Sequence, residues 1–351
     1  MLCNRTKRDT LLVYPFCDFH GGKMDKPFRS IDQQINKLKN ERGLLFENEE
    51  WAKHLLLNYG YYEIINGYKY HFMVDTSNDD AGFIQGITFE HIYQLFNYDR
   101  FLRTQVMSSL ETLELSLRQA IAYTVAEQIS DDQNEYLSRR VYRTGHRQYI
   151  HSAHREMYPI DHLLHILNGI THANSEPFKH YREDHGNVPP WIVVKKMNFG
   201  SLIWWFRLLK SNEKNWVVAR MLGLDVNLIE QTSLLKDAMS NLLSLYLDYR
   251  NTAAHGGRIY NHFSTDHELP YNELFHGIIG VTSEEYRQGK GHSRLGVVLK
   301  SLNLFSNKDP YSELKIGINI YLKSYLKLYP NDKEYLLETM EIDKEDIDLE
   351  M

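Results

Sequence analysis

The apolar positions of this chain fall into two long stripes at helical spacing. Ile92, Leu95, Leu102, Val106, Leu110, Leu113, Leu117 and Ile121 recur three, four or seven residues apart, which predicts one helix of some thirty residues from about Thr88. Leu235, Met239, Leu242, Tyr246, Arg250 and Ala253 repeat the pattern and predict a second over about 226–254. Two such stripes call for a bundle of four or more helices. Shorter elements flank them. Ser30 and Gln33 make a capping-box pattern before the stripe Ile31, Ile35, Leu38, with Gly43 as its stop. A further helix begins near Asn48 and carries Trp51, Leu55 and Leu56. This pair reads as a packed helical hairpin. A helix-turn-helix is the other form it can take, but no basic recognition face follows.

Gly60 and Gly67, set among Tyr59, Tyr61, Tyr62, Tyr68 and Tyr70, predict a bent connection. A polar loop follows at 78–86. Beyond the first long helix, "DHLLHILNGI" predicts a helix, Pro189 and Pro190 stop any helix there, and "WIVVKKMNFGSLIWWFRLL" predicts two helical pieces with Ser201 as an N-cap. Residues 263–290 read as loops and 294–340 as further helices. The fold class predicted is all-α.

Composition changes this picture little. Hydrophobic residues at 42% and charged residues at 25% describe a globular chain of 351 residues. Cys3 and Cys17 have neither a zinc nor a disulfide spacing and suit a reducing compartment. The run "LLVYPFCDF" contains Pro15 and Asp18 and reads as an extended segment rather than a leader. "SLIWWFRLLK" is about half a membrane span and is broken by Arg207. A cytoplasmic protein with no membrane association is expected.

Charge is unevenly placed. Residues 332–351 hold nine acids and two lysines, more negative charge than the net −6 of the whole chain, and read as a solvated acidic tail. Residues 139–155, "RRVYRTGHRQYIHSAHR", hold Arg139, Arg140, Arg143, Arg147 and Arg155, three histidines and no acid. The segment suits RNA phosphate contact with ring stacking; a solvated helix or loop is the plainer reading. Eight of the 17 histidines lie between 146 and 185, with His151/His154 and His162/His165 three apart. With no nearby cysteine and no HExxH pattern, no metal site is expected.

The most pointed feature is "YRNTAAHGGRIYNH" at 249–262. Arg250 continues an apolar stripe, so its permanent charge has to meet an anion. Residues five apart are about 140° apart on an ideal helix, so His255 joins Arg250 only if the helix ends at "AAHGG". The two glycines predict that ending. Arg250 and His255 can then converge on one small anion. The plainer reading has Arg250 paired to a core carboxylate and His255 as a polar cap. Asp99 with Arg103, and Glu114 with Arg118, stand one turn apart and are expected to pair.

"KPFRSIDQQINKLKNERGLLF", "NYGYYEIINGY", "ITFEHIYQLFNYDRFLR", "LETLELSLRQAIAY", "MNFGSL" and "YRNTAAHGGRIYN" follow one another with spacings that closely resemble the AbiD/AbiF family of abortive-infection phage-resistance proteins. The likeness covers roughly residues 26–262. It implies a HEPN-like helical bundle, divided as an N-terminal segment 1–25, a helical subdomain 26–87, a HEPN-like domain 88–262, loops and helices 263–331, and the tail 332–351. It implies that Arg250, Asn251 and His255 form the family's R-N-x-x-x-H signature. Two copies of that signature face each other in HEPN ribonucleases, so a homodimer is implied. Arg147 and His154 fit the looser spacing as a less favoured second copy.

Such a site could cleave RNA without metal or other cofactor. Histidine titrates near neutrality and can take the 2′-hydroxyl proton or give one to the leaving oxygen. Arginine can stabilise the pentacoordinate phosphorane. Asn251 would orient the histidine or the phosphate, Arg258 and Asn261 would support the loop, and Asp99, Arg103, Glu114 and Arg118 would support the helix. The implied protein is a toxin of phage defence, restrained by an antitoxin RNA or protein, or set off by a phage-encoded trigger. Two readings of other classes stand beside it. One is a defence protein that binds RNA or a phage protein without cutting; the other is a DNA-binding regulator, which the near-neutral body makes unattractive.

Overall fold

Helices form nearly all the regular structure of residues 28–150 and 153–347, which the computed structural model describes. The fold is all-α. At the N-terminal end stand α1 (Ile31–Asn36), continued by a π-turn, and α2 (Glu49–Tyr59); then comes α3 (Phe89–Gln128). After α4 (Gln133–Tyr136), a ribbon of β1 (Gln148–Ile150) and antiparallel β2 (Arg155–Met157) leads to α5 (Pro159–Thr171), α6 (Phe178–Asp184) and α7 (Pro190–Val193). The second half holds α8 (Phe199–Leu208), α9 (Ser211–Leu222), α10 (Val226–Gln231) and α11 (Ser233–Ala254). It closes with α12 (Glu273–Ile278), α13 (Ser283–Arg287), α14 (Leu295–Leu302), α15 (Asp309–Leu326) and α16 (Lys333–Met340).

α3 is the axis of the molecule. Thr88 caps it by accepting the His91 N–H at 3.1 Å, and its 40 residues span about 60 Å. All eight residues of the predicted stripe are at most 1% exposed. Each contributes about 1.5–3 kcal/mol of burial free energy, so the stripe commits the helix to a central place. α15, α9, α11, α7 and α8 pack around it. The capping box at Ser30, the cap at Asn48 and the bend at Gly60, with φ of 88°, are as the sequence predicts. Ile35, Leu38, Leu55 and Leu56 are buried, so the first two helices pack into the body.

The structure corrects several expectations. The stripe over 226–254 is two helices broken at Thr232, because a single extended residue interrupts the hydrogen bonding without shifting the apolar spacing. The cap of α8 is Asn198, whose side chain accepts the Ser201 N–H at 2.8 Å, so Ser201 lies inside the helix. The basic segment opens on a 3-10 turn at Arg139–Val141, runs exposed over 143–149 and carries the β-ribbon, so it is more than a helix or a plain loop. Residues 263–290 contain two short helices.

Over its described length the acidic tail is packed on its apolar face and exposed at Glu334, Glu338, Asp343 and Glu345, rather than solvated throughout. Leu336, Leu337, Met340, Ile342 and Ile347 are buried, while Lys344 pairs with Glu334 at 2.8 Å on the outside. Asp332 accepts from His91 at 2.7 Å and from Tyr325 at 2.5 Å and stands 3.4 Å from His71, tying the last helix to the N-terminal third. The N-terminal segment with Cys3 and Cys17 lies outside the described residues, as does His151.

Candidate functional site

α11 ends where the glycines predicted. Gly257 N–H reaches back to the Thr252 carbonyl at 2.8 Å and Gly256 N–H to the Ala253 carbonyl at 3.2 Å, a Schellman ending with Gly256 at φ 76°. A Cβ on Gly257 would stand 2.6 Å from Thr252 Cγ2, so only glycine fits there. His255 is thereby placed at the very end of the helix and exposed. Its imidazole bonds to none of the described residues.

The chain beyond this end is fixed by one buried carboxylate on α3. Asp99 is fully buried and accepts the Ile259 and Tyr260 N–H groups at 2.9 and 2.8 Å, the Tyr68 hydroxyl at 2.6 Å and the Arg103 guanidinium at 3.0 Å. Burial pushes the Asp99 carboxyl upward, and these donors pull it back. Arg103 also stands 3.5 Å from the Gly257 carbonyl. Tyr68 stacks on Tyr260 at 5.8 Å. Arg258 reaches the Gly67 carbonyl at 2.6 Å, and the Asn261 carbonyl accepts from Arg294 at 2.8 Å. Asp99, Arg103 and Arg258 thus all hold the turn that carries His255.

Arg250 occupies a half-buried position one turn before that end. Among the described residues no carboxylate comes within 4 Å of it, and its Nε is buried without a partner. Among the described residues its side chain makes one hydrogen bond, from Nη1 to Asn251 Oδ1 at 3.3 Å, which sets Asn251 against the arginine. The carboxylate nearest in effect is Glu114 on α3, which Arg118 holds at 2.5 Å while also bonding the Met197 carbonyl. Burial raises the Glu114 carboxyl above its ordinary value, although Arg118 and Arg250 both draw it down. The plainer expectation, a direct pair between Arg250 and a core carboxylate, is therefore not what the geometry holds. Arg250 keeps hydrogen-bonding capacity for an anion, five residues before the exposed His255 at the end of α11.

The arginines of 139–155 are dispersed. Arg139 pairs with Asp161 at 2.9 Å, Arg140 with Glu135 at 2.8 Å and Arg147 with Glu156 at 3.8 Å, whereas Arg143 and Arg155 meet no carboxylate among the described residues. Arg147 and His154 flank the β-ribbon rather than ending a helix, so they do not repeat the geometry of Arg250 and His255. Two groupings escape sequence reasoning. His262 bonds Asp248 at 2.7 Å; burial would raise that carboxyl, but the bonds from His262 and Ser264 outweigh it and hold it low. Tyr68 joins Asp99 across 31 positions. Neither spacing carries a periodic signal. Among the described residues no three His, Cys, Asp or Glu side chains could hold a metal ion, and no helix is long and apolar enough to cross a membrane.

No curated protein and no solved structure matches the chain. The family model of Abi-like proteins, however, matches residues 54–261, more than half of the sequence. The match begins within α2, takes in all of α3, and ends at Asn261, just after the Asp99-held turn. It therefore contains both halves of the site. The chain belongs to the Abi-like protein family, and its role is one in abortive infection and phage defence.

Proposed function

We propose that the chain is a HEPN-type endoribonuclease of the AbiD/AbiF kind, a homodimeric toxin that cuts host or phage RNA. One observation carries the reading: a half-buried guanidinium with no carboxylate within 4 Å among the described residues and an unpartnered Nε stands five residues before an exposed histidine at a fixed helix end. A buried arginine without a counter-ion is costly unless an anion completes it. Arg250 would take the scissile phosphate and, in the transition state, the phosphorane oxygens. His255 would accept the 2′-hydroxyl proton as that oxygen attacks phosphorus, or donate a proton to the departing 5′-oxygen; a second subunit would supply the complementary histidine. The products are a 2′,3′-cyclic phosphate and a 5′-hydroxyl. DNA, lacking the 2′-hydroxyl, should survive. Restraint by an antitoxin RNA or protein, or release by a phage-encoded trigger, belongs to the same reading.

The test is induction of the native protein beside Arg250→Ala and His255→Ala at equal folded abundance, with growth followed and RNA ends mapped. Growth arrest with cyclic-phosphate ends that both variants lack supports cleavage. Identical behaviour of all three would leave a defence protein that binds without cutting.

A further inference from the structure

Three cations converge on one cavity away from the helix end. The cavity, about 570 Å³, lies between the loop before β1 and helices α8 and α9, and its lining includes Arg143, His146, Pro159, Trp204, Arg207 and Lys214. Arg207 donates to the Ser244 hydroxyl and stands 3.4 Å from the Ser240 carbonyl. The Arg143 N–H donates to the Leu208 carbonyl at 2.8 Å, which sets the loop against α8. Lys214 lies 5.9 Å from the Phe206 ring centre. Among the described residues none of the three has a carboxylate within 4 Å, in contrast to Arg139, Arg140 and Arg147. Burial, reinforced by Arg143 and Arg207, pushes the Lys214 ammonium down to about 8.

We propose that this cavity binds a nucleotide phosphate, with Arg143, Arg207 and Lys214 on the phosphate oxygens and Trp204 beside the base. Clustered cations without a counter-ion repel one another, and an anion relieves that repulsion. Two guanidiniums and an ammonium suit the several oxygens and the charge of a phosphate better than a lone carboxylate. The volume exceeds what a bare phosphate needs and falls in the range of small-molecule sites. The indole supplies the flat apolar surface on which bases stack.

Arg207, which lines the cavity, also bonds Ser244 of α11. Ser244 and His255 are eleven residues apart, about 20° in azimuth and about 16 Å along the axis. A strand held by its phosphate at Arg207 would run along α11 toward His255. That continuation rests on the ribonuclease reading; the phosphate site itself does not.

The test is calorimetric titration of the full chain at low salt with uridine 5′-monophosphate, uridine and a ten-residue oligouridylate. The monophosphate should bind one per chain, uridine at least tenfold more weakly. Lys214→Gln and Arg143→Gln should each weaken the monophosphate at least tenfold, while Lys179→Gln, outside the cavity, should not. Both cavity variants should melt no lower than the native chain, since each removes an unpaired cation. Much tighter binding of the oligouridylate through the same residues would make an RNA strand the occupant, and equal binding a free nucleotide. Affinities untouched by Lys214→Gln and Arg143→Gln, or no binding of any probe, would overturn the proposal. Monophosphate binding by a chain that cuts no RNA would sink the ribonuclease reading and leave this site standing.

Discussion

The end of α11 and the cavity beneath α8 both present positive charge, but they differ in what surrounds it. At the helix end most polar groups are matched: Asp99 takes four donors and Arg103 and Arg258 reach carbonyls, while among the described residues Arg250 and the His255 imidazole keep free capacity. In the cavity Arg143, Arg207 and Lys214 share one space, and among the described residues no carboxylate pairs with them within 4 Å, Asp237 acting on Lys214 only from farther off. The first arrangement suits chemistry, where one group has to be held at a fixed place. The second suits holding an anion, where charge counts more than exact position. Matched charges build the frame, and unmatched charges show where a ligand belongs.

The sharpest way to break this contrast is at the two site residues themselves. His255→Ala should lower RNA cleavage by about 10²–10⁴-fold, the usual contribution of a general acid or base. Arg250→Ala should lower it by about 10²–10³-fold, as for loss of a donor to a developing anion. His255 is exposed, so its variant should melt like the native chain; cleavage measured beside a thermal melt separates the two effects. Equal cleavage by His255→Ala and native protein would remove the helix end from the chemistry.

Asp99 tests the frame. Asp99→Ala strands two backbone N–H groups, the Tyr68 hydroxyl and the Arg103 guanidinium, and should cost about 3–5 kcal/mol in urea denaturation. Tyr68→Phe removes one bond to that carboxylate and should cost about 1.5–3 kcal/mol. Cleavage by folded Tyr68→Phe should fall far less than by His255→Ala. If the order is reversed, the turn at 256–260 is more than a support.

Asp332 extends the comparison to a second buried carboxylate. Burial works to raise its carboxyl, yet the bonds from His71, His91 and Tyr325 outweigh burial and hold it well below the ordinary 3.8. A depressed folded value means the stabilisation is present in full above pH 3.8 and is lost as pH falls below it. Asp332→Asn should therefore cost on the order of 2 kcal/mol at neutral pH and flatten the acid limb of the stability profile. An acid limb of unchanged steepness would move the acid-sensitive joint elsewhere.

How far the sequence reveals these regions depends on the kind of signal. The α3 stripe is legible because each of its apolar residues faces one continuous core, and the caps at Ser30 and Asn48 because capping is local. The break at Thr232 hides because one extended residue leaves the spacing of Leu235 and Met239 intact. The last helix hides behind its charge: the acids sit outside, while Leu336, Leu337 and Met340 face inward at helical spacing that net charge overlooks. In the site, the Arg250–His255 pair and its glycines are local and readable. The Asp248–His262 pair and the cavity are not, since chain folding alone brings Trp204, Arg207 and Lys214 to Arg143.

The smallest expected effect separates a ligand site from a frame most cleanly. If Lys214 were part of the frame, its removal would destabilise the fold; as an unmatched cation, it should do the reverse. Its ammonium is lowered to about 8 by burial and by Arg143 and Arg207, against an ordinary 10.5. A lowered folded value penalises the charged form, so the penalty is complete below about pH 8 and fades as pH rises toward 10.5. Lys214→Met should accordingly stabilise the chain at pH 7 by on the order of 1 kcal/mol, less than the full shift implies because the group keeps solvent contact. It should also abolish the native gain in stability between pH 8 and 10.5. Saturating uridine 5′-monophosphate should restore the native chain's advantage at pH 7, because an anion turns the unmatched charge into a matched one. Urea denaturation of both proteins, with and without the nucleotide, reads all three signs. A destabilised Lys214→Met that the nucleotide leaves unchanged would put Lys214 in the frame.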